Sequence, residues 1–408
     1  MEITRIPDDC LLIIFEFLPL RNKVYIERVC KSWRSILLRT STYSQTTHVN
    51  IADIIRSSSN QEMYELATAQ IFERCGNNIR VLSFGSNWNK ITEPIIASIG
   101  KRCNRILHLD LSASILDSDI SPLISQLSSN IQYLSLEDSS WTNGADTIKI
   151  EELMEKFGSL VSLNLRGFKF TQSTLSSLPK TLKSIDLSCT QTLSMRSLID
   201  FLNSHTQLVH LWFDSAISIS DEVIRAIGNL TELETLSFGS GSNSIPSLLP
   251  FDCFCQLLQL KTLNISYCNS IDSYCIDQMS NSLKNLETFS IRKCPKIYDY
   301  SCLKNFAKLQ KLEITETIHI HDEDLIGIAA KRKLQHLSIV RCPNVTSMSV
   351  KIIIGRCPLV KLNLEKCENI SDETLSTLAE TSRAIKSISL KGCSSITRSV
   401  NNKLRRAK

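Results

Sequence analysis

Residues 359–373 read LVKLNLEKCENISDE, and this stretch decides the fold. Apolar residues stand at Leu359, Leu362 and Leu364, in the pattern apolar-x-x-apolar-x-apolar. The alternation from Leu362 to Leu364 is typical of a short strand with one buried face. Ser371 and the two acids after it indicate a helix start, because serine caps a first turn and carboxylates favour its positive end.

The same pattern recurs along most of the chain, thirteen times in all, at intervals of 22 to 29 residues. The copies begin at Ile79, Ile106, Ile131, Leu160, Leu182, Leu208, Leu233, Leu260, Leu286, Leu309, Leu334, Leu359 and Ile385. A weaker copy precedes them at Val49-Asn50-Ile51. A repeat of this length outweighs local signals in predicting the architecture.

The part of each repeat after the strand predicts a helix. Leu375, Leu378 and Ala379 would share one helical face in the last full repeat, and Ser220-Asp221-Glu222 starts another helix in the same way. Ser121-Pro122 fits a cap followed by proline at the first helical position. One unit cannot bury its own apolar faces, whereas stacked units can. The sequence therefore predicts an α/β leucine-rich-repeat solenoid of about 13 repeats, with a parallel inner sheet and outer helices.

The composition is that of an ordinary globular protein. The chain has 408 residues, 42% of them hydrophobic and 21% charged, with a formal net charge of +5. No apolar run approaches the roughly 20 residues of a membrane-spanning helix, and the N-terminus lacks the features of a signal peptide. With 15 cysteines and no export signal, reduced thiols are expected. We therefore expect a cytoplasmic or nuclear protein, with no membrane and no nucleic-acid partner.

Cysteine follows many of the predicted strands. These turn cysteines are Cys189, Cys268, Cys294, Cys342, Cys367 and Cys393. Cys103 and Cys357 come just before the next strand. A structural role is favoured, because a free thiol is small, commonly buried and a weak donor. No metal site is expected, since Cys253 and Cys255 lack a second pair and His319 and His321 are isolated. Over residues 79–396 the pattern resembles the cysteine-containing subclass of leucine-rich repeats.

Residues 5–40 show helical rather than strand periodicity. Asp8 or Asp9 is expected to cap a first helix, which Pro19 and Asn22 would end. A second apolar set runs from Val24 to Leu37. About fifty residues are marginal for independent stability. An exposed apolar face is therefore expected, and such a face usually meets another protein.

Three segments of this region resemble an F-box. They are Ile6-Pro7-Asp8-Asp9, the helix from Leu11 to Leu18, and Arg28-Val29-Cys30-Lys31-Ser32-Trp33. The family pattern has Leu-Pro-x-Glu and Val-Cys-Lys-x-Trp, so Ile6 and Asp9 are conservative departures. Lys23 and Arg28 stand where apolar residues are frequent in the family, which would modestly weaken binding to the adaptor.

The resemblance implies docking on the Skp-type adaptor of SCF ubiquitin ligases, and through it on a cullin. The residues that would carry or shape this contact are Ile6, Pro7, Leu11, Ile14, Phe15, Leu18, Val29, Cys30 and Trp33. About half are expected to face the adaptor, with Ile6, Pro7 and Leu11 the clearest candidates, and the others to be core. Cys30 is interpreted as a buried helix position.

No catalytic constellation competes with this interpretation. The sequence contains no Gly-x-x-x-x-Gly-Lys loop, no His-Glu-x-x-His motif and no Gly-x-Ser-x-Gly elbow. The acidic run His321-Asp322-Glu323-Asp324 occupies the helix-start position of its repeat. We therefore expect a non-catalytic protein that uses no cofactor.

In each of the thirteen strands, the residue between the last two apolar positions of the pattern is expected to line a concave face. All but Trp212 are small or polar, and an exposed tryptophan on a rigid strand is a candidate binding hot spot. The alternative, given equal weight, is that Trp212 only covers the small side chains beside it. His210 and Asp214 lie in the same repeat, and Tyr133 and Arg166 in neighbouring columns.

A basic stretch is expected farther along this face. It comprises Arg292, Lys311, His336, Lys361 and Lys391. Acidic client segments, phosphorylated or not, would suit it. A plain solvated face is the alternative.

The main hypothesis is a substrate-recognition subunit of an SCF-type ubiquitin ligase, whose repeats bind an unidentified client protein for ubiquitination and proteasomal degradation. The alternative is an adaptor-independent repeat scaffold or inhibitor. The expected parts are an F-box domain at 1–45, a transition segment at 46–78, the solenoid at 79–396 and a basic tail at 397–408. Ile51, Ile54, Leu66, Ile71 and Phe72 predict that the transition segment packs on the solenoid.

Overall fold

The computed structural model describes most of the chain. The described residues are 6–38, 42–55, 60–85, 88–117, 127, 129–141, 154, 156–169, 172–190, 194–214, 220–239, 250–372, 374 and 385–397. Three predicted features lie outside them: the Ser121-Pro122 cap, the helix with Leu375, Leu378 and Ala379, and the tail from 398 to 408. The chain forms two compact units, Met1–Thr192 and Leu193–Lys408.

Three short helices open the first unit. They are α1 (Asp8–Glu16), α2 (Leu20–Ile26) and α3 (Lys31–Leu37). Leu11 and Phe15 of α1 pack with Ile36 and Leu37 of α3 in a small core. Because side chains of a helix return to the same face every 3.6 residues, only one stripe of α1 can contact α3.

The ends of these helices differ from the prediction at two points. Pro7 is the N-cap of α1, so Asp8 and Asp9 lie in its first turn and do not cap it. Pro19 is the N-cap of α2, and Asn22 therefore lies inside α2 instead of ending α1. Proline suits a helix start because the first N–H groups of a helix have no partner within it.

The segment after α3 is packed against the repeats of its own unit. It contains β1 (His48–Asn50), α4 (Ile51–Ile54), α5 (Gln61–Cys75) and a 3₁₀ turn (Gly76–Asn78). Strand β1 pairs in parallel with the first full repeat, so the weak copy of the pattern is a strand of the sheet. The repeats therefore begin within the segment predicted to be a transition.

The apolar residues of this segment are mostly buried. Ile51, Ile71 and Phe72 are buried, and Ile54 is half-buried. Leu66 is exposed, contrary to expectation. It lies opposite the buried stripe of α5, which includes Tyr64 and other residues one helical turn apart.

A parallel sheet forms the rest of the first unit. Its strands after β1 are β2 (Val81–Ser83), β4 (His108–Asp110), β6 (Tyr133–Ser135), β8 (Ser162–Asn164) and β9 (Ser184–Asp186). The middle residues Leu82, Leu109 and Leu134 are in register and buried. A second parallel sheet is made by β3 (Lys90–Ile91), β5 (Ile115–Leu116) and β7 (Ser140–Trp141). The helices α6 (Glu93–Arg102) and α7 (Gln172–Ser176) complete the described elements.

The second unit repeats the same arrangement. Its strands are β10 (His210–Asp214), β11 (Thr235–Gly239), β12 (Thr262–Ser266), β13 (Thr288–Arg292), β14 (Lys311–Thr315), β15 (His336–Val340), β16 (Lys361–Asn363) and β17 (Ser387–Ser389). Its helices are α8 (Met195–Ser204), α9 (Asp221–Gly228), α10 (Ser273–Ser282), α11 (Asp322–Ala329) and α12 (Ser347–Arg356), with 3₁₀ helices at Phe251–Gln256 and Ser301–Asn305. All thirteen predicted strands are present among the described residues, which confirms the α/β repeat architecture.

The helix starts follow the predicted chemistry where they are described. The Ser220 hydroxyl accepts a hydrogen bond from the Val223 amide at 3.4 Å, which caps α9. Helix α11 begins at Asp322, so the acidic run is a helix start, as predicted. The Asp324 carboxylate turns back to accept from the His321 amide at 2.9 Å.

After most strands the chain turns away from the sheet through a left-handed residue. We call these positions the turn column, and all have a positive φ between 49° and 78°. Its members are Gly85, Ala113, Asp138, Gly167 and Cys189 in the first unit, and Tyr267, Lys293, Glu316, Arg341, Lys366 and Gly392 in the second. Glycine adopts this conformation without strain, whereas for other residues it costs about 1 kcal/mol of conformational free energy.

Most turn cysteines are buried beside this column, and Cys367 and Cys393 donate to the preceding repeat. Cys393 Sγ lies 2.9 Å from the Leu364 carbonyl oxygen, and Cys367 Sγ lies 3.3 Å from that of Ile339. Burial raises the pKa of the Cys367 thiol to about 12, so it stays protonated and able to donate. Cys268, Cys294 and Cys342 are buried in the same way.

Cys189 does not belong to this group, contrary to the prediction. It occupies the left-handed turn position and is exposed. Thr190 takes the buried position one residue later, and its hydroxyl donates to the Leu187 carbonyl at 2.7 Å. In this turn a hydroxyl group, instead of a thiol, donates a hydrogen bond to a backbone carbonyl.

Two glycines of the first unit should respond differently to substitution by alanine, because only one of them lies in the turn column. Gly167 has a φ of +64°, and a Cβ there would overlap the Asp138 carboxylate. Gly158 has no atom within 4 Å of such a Cβ. We expect Gly167→Ala to lower the free energy of unfolding by about 1–3 kcal/mol, and Gly158→Ala to change it by less than about 0.5 kcal/mol. Urea unfolding followed by circular dichroism measures both, and equal midpoints would contradict the prediction.

Candidate functional site

The N-terminal helices expose a large apolar face. Ile13, Ile14, Phe17, Tyr25 and Val29 are all exposed, and Phe17 most of all at 85%. These side chains come from α1, α2 and the segment that leads to α3. We call them the docking face, because an apolar surface of this kind needs a partner to cover it.

The nine residues predicted at the adaptor contact fall into three groups. Pro7, Ile14, Val29 and Cys30 are exposed. Ile6, Leu18 and Trp33 are half-buried against the small helical core. Leu11 and Phe15 are buried in that core.

Leu11 is therefore a correction, since it was one of the clearest candidates for the contact. Its side chain is only 5% exposed, and Phe15 beside it packs edge-to-face on Trp33 with ring centroids 5.2 Å apart. Both residues belong to the core on which the helices of the docking face pack, and not to its exposed surface. Ile13 and Phe17 are absent from the predicted set. They lie four residues apart, on the side of α1 and its C-cap opposite the buried stripe, and this spacing is the sequence signal that could have indicated them.

Cys30 is also placed differently from the prediction. It is exposed and is the N-cap of α3, where its Sγ accepts from the Trp33 amide at 3.4 Å. The cysteine thus starts a helix instead of filling a buried helical position. In the sequence it directly follows Val29 of the docking face.

Lys23 points into the protein and not into the docking face. It is buried, and its Nζ donates to the Thr42 carbonyl oxygen at 2.8 Å. Burial lowers the pKa of this amine, although Glu16 opposes the shift. The expected weakening of adaptor binding by Lys23 therefore has no structural basis, because its charge satisfies a backbone group within the first unit.

A buried ion pair joins the docking helices to the rest of the first unit. Arg74 Nε of α5 donates to Glu27 Oε1 at 2.7 Å, and a second nitrogen of the guanidinium donates to Oε2. The Tyr43 hydroxyl donates to the same carboxylate, and burial together with this bond raises the pKa of Tyr43. The side chains of Arg74 and Glu27 are only 13% and 5% exposed. A bidentate pair at this depth fixes the loop after α2 against α5.

The strand face of the first unit carries one aromatic stack. Tyr133 is exposed and lies over His108 of the neighbouring strand, with ring centroids 4.8 Å apart and an interplanar angle of 22°. Arg166 is also exposed, and its Nε lies 3.7 Å from Glu137. Tyr133 pairs with Ser162, so Arg166 lies four residues, or about 13 Å, farther along the strand direction. The two residues belong to opposite ends of the strands.

In the second unit, His210, Trp212 and Asp214 share one face of β10. His210 and Trp212 stack with centroids 5.7 Å apart, and Asp214 Oδ2 accepts from the Ser237 hydroxyl at 2.6 Å. All three side chains are half-buried, so Trp212 is less exposed than predicted. Burial lowers the pKa of His210, with Glu234 opposing it, and the imidazole is therefore neutral at physiological pH.

The predicted basic stretch separates into two columns. Lys311, His336 and Lys361 stand in register at the start of their strands. Arg292 stands at the far end of β13, where its guanidinium lies 3.7 Å from Glu316. Lys311 Nζ is paired with Glu313 at 3.1 Å. The length of a strand therefore separates Arg292 from Lys311, His336 and Lys361.

The described residues contain neither a metal-site cluster nor a membrane-spanning helix. In that part of the chain, no three His, Cys, Asp or Glu side chains are grouped as a metal site would require. In the same part, no helix is long and apolar enough to span a bilayer.

Comparison with known proteins agrees with both halves of this description. Residues 3–44 match the family model of the F-box domain. The fold is similar to that of the internalin InlF from Listeria monocytogenes, with 16% sequence identity and a TM-score of 0.50 over 84% of this chain and 98% of that chain. The chain carries an F-box domain followed by leucine-rich repeats. The likeness to the internalin concerns the fold alone.

Two further solved structures match this chain with lower TM-scores. The TLR13–ssRNA13 complex matches with 17% identity and a TM-score of 0.49, over 78% of this chain and 46% of that chain. Internalin C2 from Listeria monocytogenes matches with 18% identity and a TM-score of 0.34, over 66% of this chain and 97% of that chain.

The ion pair under the F-box helices gives a second test. Glu27→Gln leaves the buried Arg74 cation without a counter-charge, and we expect it to weaken the attachment of α2 to α5 by about 3 kcal/mol. Hydrogen exchange of the amides in α1–α3 measures this loss.

Glu73→Gln is the matched control. It removes the same charge from an exposed pair with Arg102, whose side chains are 60% and 44% exposed. We expect an effect of about 0.5 kcal/mol or less. Equal protection factors in the two variants would show that the buried pair does not hold the F-box.

Proposed function

We propose that this chain is the substrate-recognition subunit of an SCF-type ubiquitin ligase. The observation that carries the proposal is the F-box match at residues 3–44, together with the exposed apolar docking face on the same helices. Ile14, Phe17 and Val29 offer the surface that a Skp-type adaptor would cover, and the adaptor would connect the chain to a cullin. Aromatic and aliphatic anchors of this kind provide most of the energy of a protein interface.

The attachment of the F-box supports this role. The Glu27–Arg74 pair, the Tyr43 hydroxyl and the inward Lys23 amine tie the docking helices to α5 and to the segment before β1. A receptor needs such a rigid connection, because it works by holding its client near the ubiquitin-charged enzyme. The acceleration comes from proximity and effective concentration, and this chain would supply no acid, base or nucleophile.

The strand faces are the proposed client-binding surfaces. In the first unit, Tyr133 stacked on His108 is the aromatic candidate, with Arg166 at the other strand end. In the second unit, His210, Trp212 and Asp214 form a half-buried cluster, and Lys311, His336 and Lys361 a basic column. Half-buried aromatic side chains on a rigid sheet lose little conformational freedom when they bind.

The proposal assigns residues 1–45 to adaptor docking and residues 79–396 to client recognition. Residues 46–78 join them, with β1 already a part of the sheet. A cytoplasmic or nuclear location, and a basic tail at 397–408, stay predictions.

Adaptor binding tests the proposal directly. Leu11 is unsuitable for substitution, since a charge there would disrupt the helical core. Ile14→Asp combined with Val29→Asp places two charges on the docking face and leaves the core intact. We expect the purified wild-type chain to bind a Skp-type adaptor in calorimetry, and the double variant to bind at least about 100-fold more weakly.

The control changes two exposed apolar residues of the same unit outside the F-box. Met63→Asp combined with Leu66→Asp adds the same charge on α5 and should leave the affinity unchanged. If the folded wild type binds no adaptor, the alternative of an adaptor-independent repeat scaffold or inhibitor replaces the proposal. Equal losses in both double variants would place the contact outside the docking face.

A further inference from the structure

A pocket lies in the first unit where the chain enters its strands. Its volume is about 350 Å³, and its lining residues come just before β2, β4, β6 and β8. Ligand pockets have volumes of about 300–1000 Å³, so this one lies at the small end of the range. It has room for the end of an extended peptide, but not for a helix about 10 Å wide.

Two rows of side chains from neighbouring repeats line this pocket. The first row comes one residue before β2, β4 and β6 and comprises Arg80, Leu107 and Gln132. The second row comes three residues before β4, β6 and β8 and comprises Arg105, Asn130 and Ser159. Backbone hydrogen bonds of 2.9 Å and 2.8 Å keep the first row in register. Since parallel strands lie about 4.8 Å apart, side chains within one row are close neighbours.

Two arginines give the pocket its charge. Arg80 and Arg105 are both exposed, and no acidic side chain of the described residues lines the pocket with them. Arg74, Arg102 and Arg166 of the same unit each pair with a glutamate. Within the described part of the chain, Arg80 and Arg105 form no such pair. Their two positive charges are therefore available to an anionic ligand.

The other lining side chains favour a peptide over a simple anion. Asn104 and Gln132 are exposed, and each side-chain amide offers both donors and an acceptor. A peptide main chain presents the same two kinds of group, whereas a phosphate presents acceptors only and would leave the amide oxygens without a partner. Leu107 adds one half-buried apolar side chain.

The chemistry of arginine favours a carboxylate in this pocket. A guanidinium is planar, and its parallel N–H groups match the two oxygens of a carboxylate. A peptide carries a carboxylate next to its main-chain amides at its C-terminus. A side-chain carboxylate lies farther from the main chain and meets arginine and amide groups in a different geometry.

We propose that this pocket binds the free C-terminal carboxylate of a partner protein. Arg80 and Arg105 donate to the carboxylate oxygens, and Asn104 and Gln132 bond to the last peptide groups. An apolar last side chain contacts Leu107. We call these five residues the carboxylate pocket. The inference rests on the proposed function only in identifying the partner as a client.

The carboxylate pocket is continuous with the strand face of the first unit. Tyr133 directly follows Gln132, and its ring stacks on His108, which directly follows Leu107. A peptide whose end lies in the pocket can therefore continue over this stack. The arginines fix the end of the peptide, and the aromatic rings offer contact area to the residues before it.

Fluorescence anisotropy on the full chain tests the inference. The probe is a pool of fluorescein-labelled hexapeptides of mixed sequence that all end in leucine with a free carboxylate. Three twin pools end in leucine amide, in glutamate amide and in phosphoserine amide. We expect the free-carboxylate pool to bind at least about tenfold more tightly than each twin. No binding of the free-carboxylate pool, or equal binding of any twin, would overturn the inference.

Two double variants separate the guanidinium geometry from charge. Arg80→Glu with Arg105→Glu should weaken binding of the free-carboxylate pool by about tenfold or more. Arg80→Lys with Arg105→Lys keeps both charges but loses the planar donors, and should weaken it by about threefold or more. Full affinity in either double variant would contradict the assignment.

The control changes two exposed lysines of the same unit outside the pocket. Lys101→Glu with Lys169→Glu makes the same change in net charge as the glutamate variant and should leave the affinity nearly unchanged. A loss equal to that of the glutamate variant would show a general effect of charge and would overturn the inference.

The two proposals can fail separately. Adaptor binding by the docking face and peptide binding by the carboxylate pocket are measured with different ligands. Loss of adaptor binding alone would overturn the ligase role and leave a repeat protein that binds C-terminal peptides. Loss of the preference for a free carboxylate would overturn only the inference about the carboxylate pocket.

Discussion

Each strand of this protein depends on its neighbours to bury its apolar side chains. Leu263 and Ile265 are in register with Phe289 and Ile291, and all four are fully or almost fully buried. Burying one such side chain contributes about 1.5–3 kcal/mol, whereas ordering the backbone of one residue costs about 1–2 kcal/mol. A repeat of about 25 residues with a few such side chains therefore cannot fold alone. Stacking provides the missing burial, and it leaves the alternate strand positions free for other uses.

The same constraint shapes the turns. After most strands the chain leaves the sheet through a left-handed residue, and in most of these turns the next side chain is buried. Cys367 and Cys393 donate to the backbone of the repeat before them, so the turns are joined in a ladder of their own. The left-handed residue itself points outward. This position is where the second unit carries its strained charged side chains.

The F-box helices show how a small core creates a docking face. Helix α1 has one stripe to bury, and Leu11 and Phe15 occupy it against α3. Ile14 and Phe17 lie outside this stripe and stay exposed. Since fifty residues are too few to bury every apolar side chain, the docking face is a consequence of size. The Glu27–Arg74 pair compensates by attaching these helices to α5.

The sequence by itself determined the repeat, the strands and the F-box helices, because each depends on local periodicity that a chain displays directly. It also determined the structural role of the buried cysteines, whose fixed distance from the strand is a local property. Only the tertiary structure decided which stripe of α1 belongs to the core and that Lys23 points inward. It also decided that Thr190 takes the buried turn position in place of Cys189. The separation of Arg292 from Lys311 was likewise decided by the tertiary structure. These outcomes depend on which side chains from distant positions meet, such as Thr42 with Lys23 or Glu316 with Arg341. Periodicity gives the direction of a side chain relative to its own element, and the partner it meets is set by packing.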